Sequence, residues 1–168
     1  MKTAPLLILI ALLLSIAQAH PGSVERDFET EKRTLKVDRF SMGEDATSGF
    51  YYLVYKRKAE VRKIRAVWNG GCCNQPYAED FYFKDGQPAL YVRLLLSRKQ
   101  LRSAVKGMSV RFGVEEKLYL KESRLTAWIK NGQAIPPNDP RWQGKERSVL
   151  EDFKGQLENY QWHLDGKV

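Results

Sequence analysis

The sequence predicts an α+β fold, in which a single antiparallel β-meander of about six strands packs against a C-terminal amphipathic helix, with a short helix near the N-terminus. Two observations lead to this prediction. Residues 81–93 align without a gap on residues 118–130, and both copies have the pattern of a strand, a short polar turn and a second strand. Residues 140–160 then place their apolar side chains on one helical stripe, which an open sheet can bury.

Residues 1–19 match a secretory signal peptide. Lys2 supplies a positive charge, residues 5–16 form an apolar run, and residues 17–19 have the small-x-small pattern of a cleavage site. The run is shorter than the ~20 residues that a transmembrane helix needs, so no transmembrane anchor is predicted. We therefore expect residues 20–168 to form one exported α+β domain, located in the periplasm.

The strongly basic composition narrows the classes of partner. The formal net charge is +8, and it falls to +7 once Lys2 leaves with the signal peptide. This charge suits an anionic envelope component or another envelope protein, although a solvated lysine-rich surface explains it equally well. A nucleic-acid partner is not predicted, because export removes the chain from most nucleic acid and no recognition motif is present.

The elements before the repeat are a short helix and a third hairpin. Residues 23–33 form an amphipathic helix with Ser23 as its N-cap, and a first strand or extended lead-in follows. Residues 50–68 have the same hairpin shape as the two copies, although their sequence is less similar. In its return strand Ile64 and Trp68 share one face, which leaves Lys63 and Arg65 on the other as an exposed basic stripe.

The clear copies, taken as hairpins 81–95 and 114–130, are separated by a helix. Ser97 can cap this helix and Gly107 can end it. After the second copy, residues 136–140 form a proline-rich linker without a strand. Asp139 and Pro140 then make a good N-cap and first residue for the long helix 140–160.

Few residues in the chain bear catalytic chemistry. The two histidines are His20 and His163, and no motif of a hydrolase, metalloprotease or nucleotide-binding loop is present. The adjacent carboxylates Glu79 and Asp80 point to opposite faces of a strand, so we read them as solvated charges. An enzyme, a cofactor and a metal site are therefore not predicted.

Cys72 and Cys73 are the unusual chemical feature, and they lie at the turn between the first and second hairpins. A bond between them would be strained, because neighbouring Cα atoms are about 3.8 Å apart and ordinary disulfides span roughly 4.4–6.8 Å. An oxidising compartment still favours some form of oxidation. A vicinal disulfide, an intermolecular bridge, a thiol or soft-metal site and unpaired thiols all stay open.

The hairpin residues also carry a resemblance. The segments 51–52, 61–64, 79–86, 116–120 and 125–128 resemble a family of small uncharacterised secreted or periplasmic bacterial β-meander proteins. The resemblance covers roughly residues 48–160 and excludes the cysteine pair. It implies a secreted or periplasmic location and supplies no catalytic residues.

We therefore expect an exported, non-enzymatic binding protein that uses an uncovered sheet face or an edge strand. Aromatic and arginine side chains dominate such contacts. A thiol- or soft-metal-active envelope protein centred on Cys72 and Cys73 is the first alternative, and a small envelope enzyme is the second. The candidate binding residues are Tyr82, Tyr91, Tyr119, Trp128, Arg62, Lys63 and Arg65.

Overall fold

The computed structural model describes residues 23–42, 49–70, 74–110 and 113–167. The predicted signal peptide, His20, Cys72 and Cys73 lie outside these ranges, so the predictions about them stay predictions.

The sheet is an open antiparallel meander of eight strands in the order β1 to β8. The fold class is confirmed, but the predicted number of six strands is wrong. Of the two additional strands, residues 36–42 form the predicted first strand or extended lead-in, and residues 133–135 form a three-residue strand that ends just before Pro136. The strands are β1 (Lys36–Met42), β2 (Phe50–Arg57), β3 (Glu60–Trp68), β4 (Tyr77–Lys84), β5 (Gln87–Leu95), β6 (Val114–Lys121), β7 (Arg124–Lys130) and β8 (Gln133–Ile135).

The three hairpins share a turn length and the position of a register shift, which extends the similarity seen in the sequence. Each has a two-residue turn, and each has a register shift just before it, at Tyr55/Lys56, Tyr82/Phe83 and Tyr119/Leu120. The shift in the second hairpin falls beside Pro88, which has no N–H to donate to the ladder. The hairpins are therefore one structural unit used three times.

The turns of the two sequence copies need left-handed backbone. Asp85 and Gly86 have φ of 51° and 73°, and Glu122 and Ser123 have φ of 51° and 58°. Positive φ at both central positions is the requirement of the type I′ turn, whose twist matches that of the flanking strands. The second copy therefore adopts this geometry with two residues that disfavour it.

Within the described ranges, three α-helices accompany the sheet: α1 (Ser23–Glu31), α2 (Arg98–Val105) and α3 (Trp142–Leu164), with a 3-10 turn (Lys32–Thr34) after α1. Ser97 and Gln100 form a capping box on α2, as the sequence favours. Helix α3 begins at Trp142, two residues later than predicted, and the Asp139 carboxylate accepts the backbone N–H of Arg141. It also continues past residue 160, because His163 stacks on Phe40 of β1 with ring centres 4.3 Å apart.

Helices cover both faces of the sheet. On one face α3 buries Val149, Phe153 and Tyr160 against the hydrophobic side chains of β2 to β7. On the other face Phe28 of α1 and Ala104 of α2 join a second core. The expectation of an uncovered sheet face is therefore wrong, because α1 and α2 together cover the face opposite α3.

Among the described helices, none combines the length and the hydropathy needed to cross a bilayer.

The duplicated turn provides a test of the backbone argument. Replacing Glu122 by Asn and Ser123 by Gly should stabilise the protein by about 1 kcal/mol, because Asn and Gly accept positive φ at less cost. Urea unfolding followed by tryptophan fluorescence measures the change. The reciprocal exchange, Asp85→Glu with Gly86→Ser, should destabilise by a similar amount, and an unchanged stability in both variants would contradict the argument.

Candidate functional site

The face of β3 that carries Lys63 and Arg65 is buried. Lys63 is 3% exposed and Arg65 is 4% exposed, so the predicted exposed stripe is wrong. Helix α1 covers Lys63, whose Nζ lies 4.9 Å from the ring centre of Phe28. Arg65 lies under the turn after α2, where its Nη1 donates a hydrogen bond to the Met108 carbonyl at 2.9 Å.

Asp80 of β4 compensates both cations. Arg65 holds it through two bonds, Nε to Oδ1 and Nη2 to Oδ2, each 2.6 Å long. Lys63 Nζ donates to Asp80 Oδ2 and to the Tyr82 hydroxyl, each at 2.8 Å. The register places Arg65 opposite Asp80 and Lys63 opposite Tyr82, so all four side chains share one face. We call Lys63, Arg65, Asp80 and Tyr82 the buried ion cluster; the reading of Asp80 as a solvated charge is wrong.

Burial and pairing act against each other in this cluster. Burial lowers the pKa of Lys63 to about 7, although Asp80 favours the charged form. Burial also opposes ionisation of Asp80, but Arg65 and Lys63 outweigh it and hold the pKa of this carboxyl well below its usual range. Of the two cations of the cluster, Lys63 is therefore the one whose charged form burial disfavours, since the pKa of Arg65 is raised.

A lysine with a lowered pKa is the kind that enzymes use as a nucleophile or base. Lys63 is almost fully enclosed, and so is its acid partner Asp80, which leaves little surface through which a substrate could reach either group. All of its contacts are made within the fold. We therefore interpret the buried ion cluster as the polar part of the core that joins β3, β4, α1 and the turn after α2.

Three of the four predicted aromatic contact residues are also buried. Tyr82, Tyr91 and Trp128 are no more than 5% exposed, and Tyr119 is half-buried. Their polar atoms are engaged inside the protein: the Tyr91 hydroxyl donates to Glu79 at 2.8 Å, and the indole N–H of Trp128 donates to Glu116 at 2.8 Å. Strand alternation could not reveal this, because both faces of the sheet are covered.

The remaining predicted residues divide between the described and the undescribed parts. Arg62 is half-buried and ion-paired with Glu31 of α1 at 2.9 Å and with Glu60 at 2.8 Å, so it fastens α1 to the sheet. Cys72 and Cys73 lie outside the described residues. The structure therefore brings Lys63, Arg65 and Tyr82 together. Arg62 lies apart from them, in an ion pair with Glu31 at the end of α1.

A different set of residues forms a partly exposed apolar surface. Five side chains pair with one another across β1 to β5, at the end of the sheet where β2 and β4 begin. All five are half-buried and share the face on which α3 lies. We call them the apolar row, and they are Met42, Phe50, Trp68, Tyr77 and Leu95.

Ring contacts organise the centre of the apolar row. Trp68 and Tyr77 have ring centres 5.1 Å apart, and Phe50 lies 6.4 Å from Tyr77. The guanidinium of Arg93 stands 4.5 Å from the Tyr77 ring centre and pairs with Glu115 at 3.0 Å. Beside it, burial raises the pKa of Glu79, and the bond from Tyr91 and the charge of Arg93 oppose that rise. The row is therefore an aromatic surface bordered by charged groups.

Comparisons with protein families, with characterised proteins and with solved structures found no match to this chain. The resemblance to secreted β-meander proteins stays a prediction.

The sequence pattern could have predicted part of the apolar row. Trp68 lies on the Ile64 face at the last position of its strand, and Tyr77 opens the next strand. Strand pairing then places the two side by side. What the sequence lacks is the path of α3, which packs on Phe81 and Phe83 through Phe153 and leaves the strand ends outside.

Lys63 predicts a pH dependence of stability. Its pKa is about 7 in the folded protein and near its ordinary value of 10.5 when unfolded. Between these values the unfolded chain binds more protons, so stability should rise with pH, by about 2 kcal/mol from pH 7 to pH 9. Urea unfolding across this range measures it. Lys63→Met should abolish the rise, and a rise of equal size in the variant would contradict the assignment.

The two cations of the cluster should differ in their effect on stability at pH 8. Arg65→Met leaves the buried Asp80 without its bidentate partner and should cost about 3–5 kcal/mol. Lys63→Met keeps that pair and should cost no more than about 2 kcal/mol. Chemical denaturation measures the free energy of unfolding of the two variants. Equal decreases would contradict the larger contribution assigned to Arg65.

Proposed function

We propose that this protein is an exported, non-enzymatic binding protein that contacts a protein partner through the apolar row. The observation that carries the proposal is a continuous set of half-buried apolar side chains that crosses five strands and includes Phe50, Trp68 and Tyr77. Contiguous apolar surface of this kind marks interaction sites when charged groups surround it.

The residue types favour a protein as the partner. Tryptophan, tyrosine, phenylalanine, methionine and arginine are enriched in protein interfaces, and Trp68, Tyr77, Met42 and the stacked Arg93 supply most of these types together. The ring contacts and the pairing of Arg93 with Glu115 hold the surface in one shape before binding. A surface that is ordered in advance loses less entropy when a partner docks.

Binding suits the geometry better than catalysis. The ionisable groups of the buried ion cluster are enclosed by α1 and by the turn after α2, which leaves them little surface for a substrate. Arg93 is a partly exposed charged group beside the apolar row, and it is engaged with Tyr77 and Glu115. These contacts suit a rim that orients a partner.

Capture from an envelope extract tests the proposal. The tagged, exported protein should retain a specific protein partner, and Trp68→Ala should weaken that binding by about 30-fold or more, as expected for a central interface aromatic. The partner is identified by quantitative mass spectrometry, and its affinity for each variant is then measured with purified proteins. Trp162→Ala is the matched control, because Trp162 is a 47% exposed tryptophan of α3 that does not belong to the row.

Equal binding by the wild type and the Trp68→Ala variant would contradict the assignment of the surface. Loss of binding in the Trp162→Ala variant alone would move the contact to the outer face of α3. Thermal unfolding of both variants checks that the fold is kept, since Trp68 is half-buried and also packs on Tyr77.

A further inference from the structure

Helix α2 presents a cationic stripe to solvent. Lys99, Arg102 and Lys106 are spaced by three and four residues, which places them on one side of the helix. All three are exposed, while Ala104 is buried against the sheet. Among the described residues no carboxylate pairs with any of the three. The stripe is therefore positive charge that the fold itself does not use.

The turn that ends α2 adds an apolar side chain beside this stripe. Gly107 has φ of 78° and its N–H bonds to the Ala104 carbonyl at 2.9 Å, while the N–H of Met108 bonds to the Ser103 carbonyl at 3.0 Å. These two bonds are those of a Schellman motif. The motif places Met108 two residues after Lys106, the last cation of the stripe, and Met108 is 56% exposed.

Two buried side chains of the sheet bind the backbone of the turn that follows α2. Arg65 of the buried ion cluster donates to the Met108 carbonyl, and the Tyr55 hydroxyl approaches the Gly107 carbonyl at 3.4 Å. A Cβ atom on Gly107 would stand 2.7 Å from the Tyr55 hydroxyl, so the close approach requires glycine. The Met108 backbone is therefore fixed, and its side chain is kept in solvent.

An acidic residue, Glu29, contacts this turn through Ser109 and also has a lysine beside it. Glu29 of α1 accepts a hydrogen bond from Ser109 at 3.3 Å and lies 3.8 Å from Lys32. Lys32 also reaches Ser109 at 3.4 Å. Glu29 and Lys32 therefore offset each other's charge beside this turn.

We propose that Lys99, Arg102, Lys106 and Met108 form a docking surface for an anionic phospholipid bilayer. Each cation near a negatively charged membrane strengthens binding about five-fold, so the stripe accounts for roughly a 100-fold preference. An exposed apolar side chain beside cations also gains by entering the headgroup region, whereas a soluble polyanion offers it no apolar contact. The cationic surface is distinct from the apolar row and does not depend on it.

Vesicle sedimentation tests the proposal. The purified exported protein should bind vesicles of 30% phosphatidylglycerol in phosphatidylcholine and not vesicles of phosphatidylcholine alone, and binding should weaken as salt is raised. The triple variant Lys99→Gln, Arg102→Gln, Lys106→Gln should bind about 100-fold more weakly. Met108→Ser should bind roughly five-fold more weakly with unchanged salt dependence.

A matched variant separates the location of the charge from its amount. Lys58→Gln, Lys84→Gln, Lys121→Gln removes three exposed cations at the hairpin tips and should leave vesicle binding nearly unchanged. Equal loss in this variant, or no preference for phosphatidylglycerol in the wild type, would overturn the proposal. Full binding by Met108→Ser, with dextran sulfate displacing the vesicles, would assign the stripe to soluble polyanions and also overturn it.

Discussion

The pairing of Arg65 with Asp80 connects the parts of this structure that lie far apart in the chain. Its two bonds join β3 to β4 in the middle of the sheet, and a third bond from Arg65 secures the turn after α2. Lys63, held by the same Asp80, carries the contact on to Phe28 of α1. A buried charge without a partner costs several kcal/mol. Displacing any one of these elements would leave such a charge in the core, so their positions depend on one another.

This arrangement explains why a small meander has helices on both faces. An antiparallel sheet commonly leaves one face in water, where lysine and arginine would be solvated. Here the strands β3, β4 and β5 are buried on both sides, so their charged residues need internal partners. Short helices suffice as a cover, because α1 is fastened at its end by the ion pair of Glu31 with Arg62.

The repeated hairpins and the surfaces have separate roles. The three hairpins share turn length and register shift, which makes the sheet regular and places the same end of each strand pair together. The parts that break the repeat, namely the strand ends around Trp68 and Tyr77 and the helix between β5 and β6, carry the surfaces proposed for binding. The repeat therefore acts as the scaffold on which both surfaces are held.

The sequence by itself determined the α+β class, the three hairpins, the capped helix after Ser97 and the stripe of α3, because period, turn residues and caps are local properties. It could not determine that Lys63, Arg65, Tyr82 and Trp128 are buried. The alternation of side chains along a strand predicts which residues share a face. It does not predict which faces a helix from a distant part of the chain will cover. Only the tertiary structure decided that, by packing α1 and α2 opposite α3 and by leaving Trp68 and Met108 at the margins of the two cores.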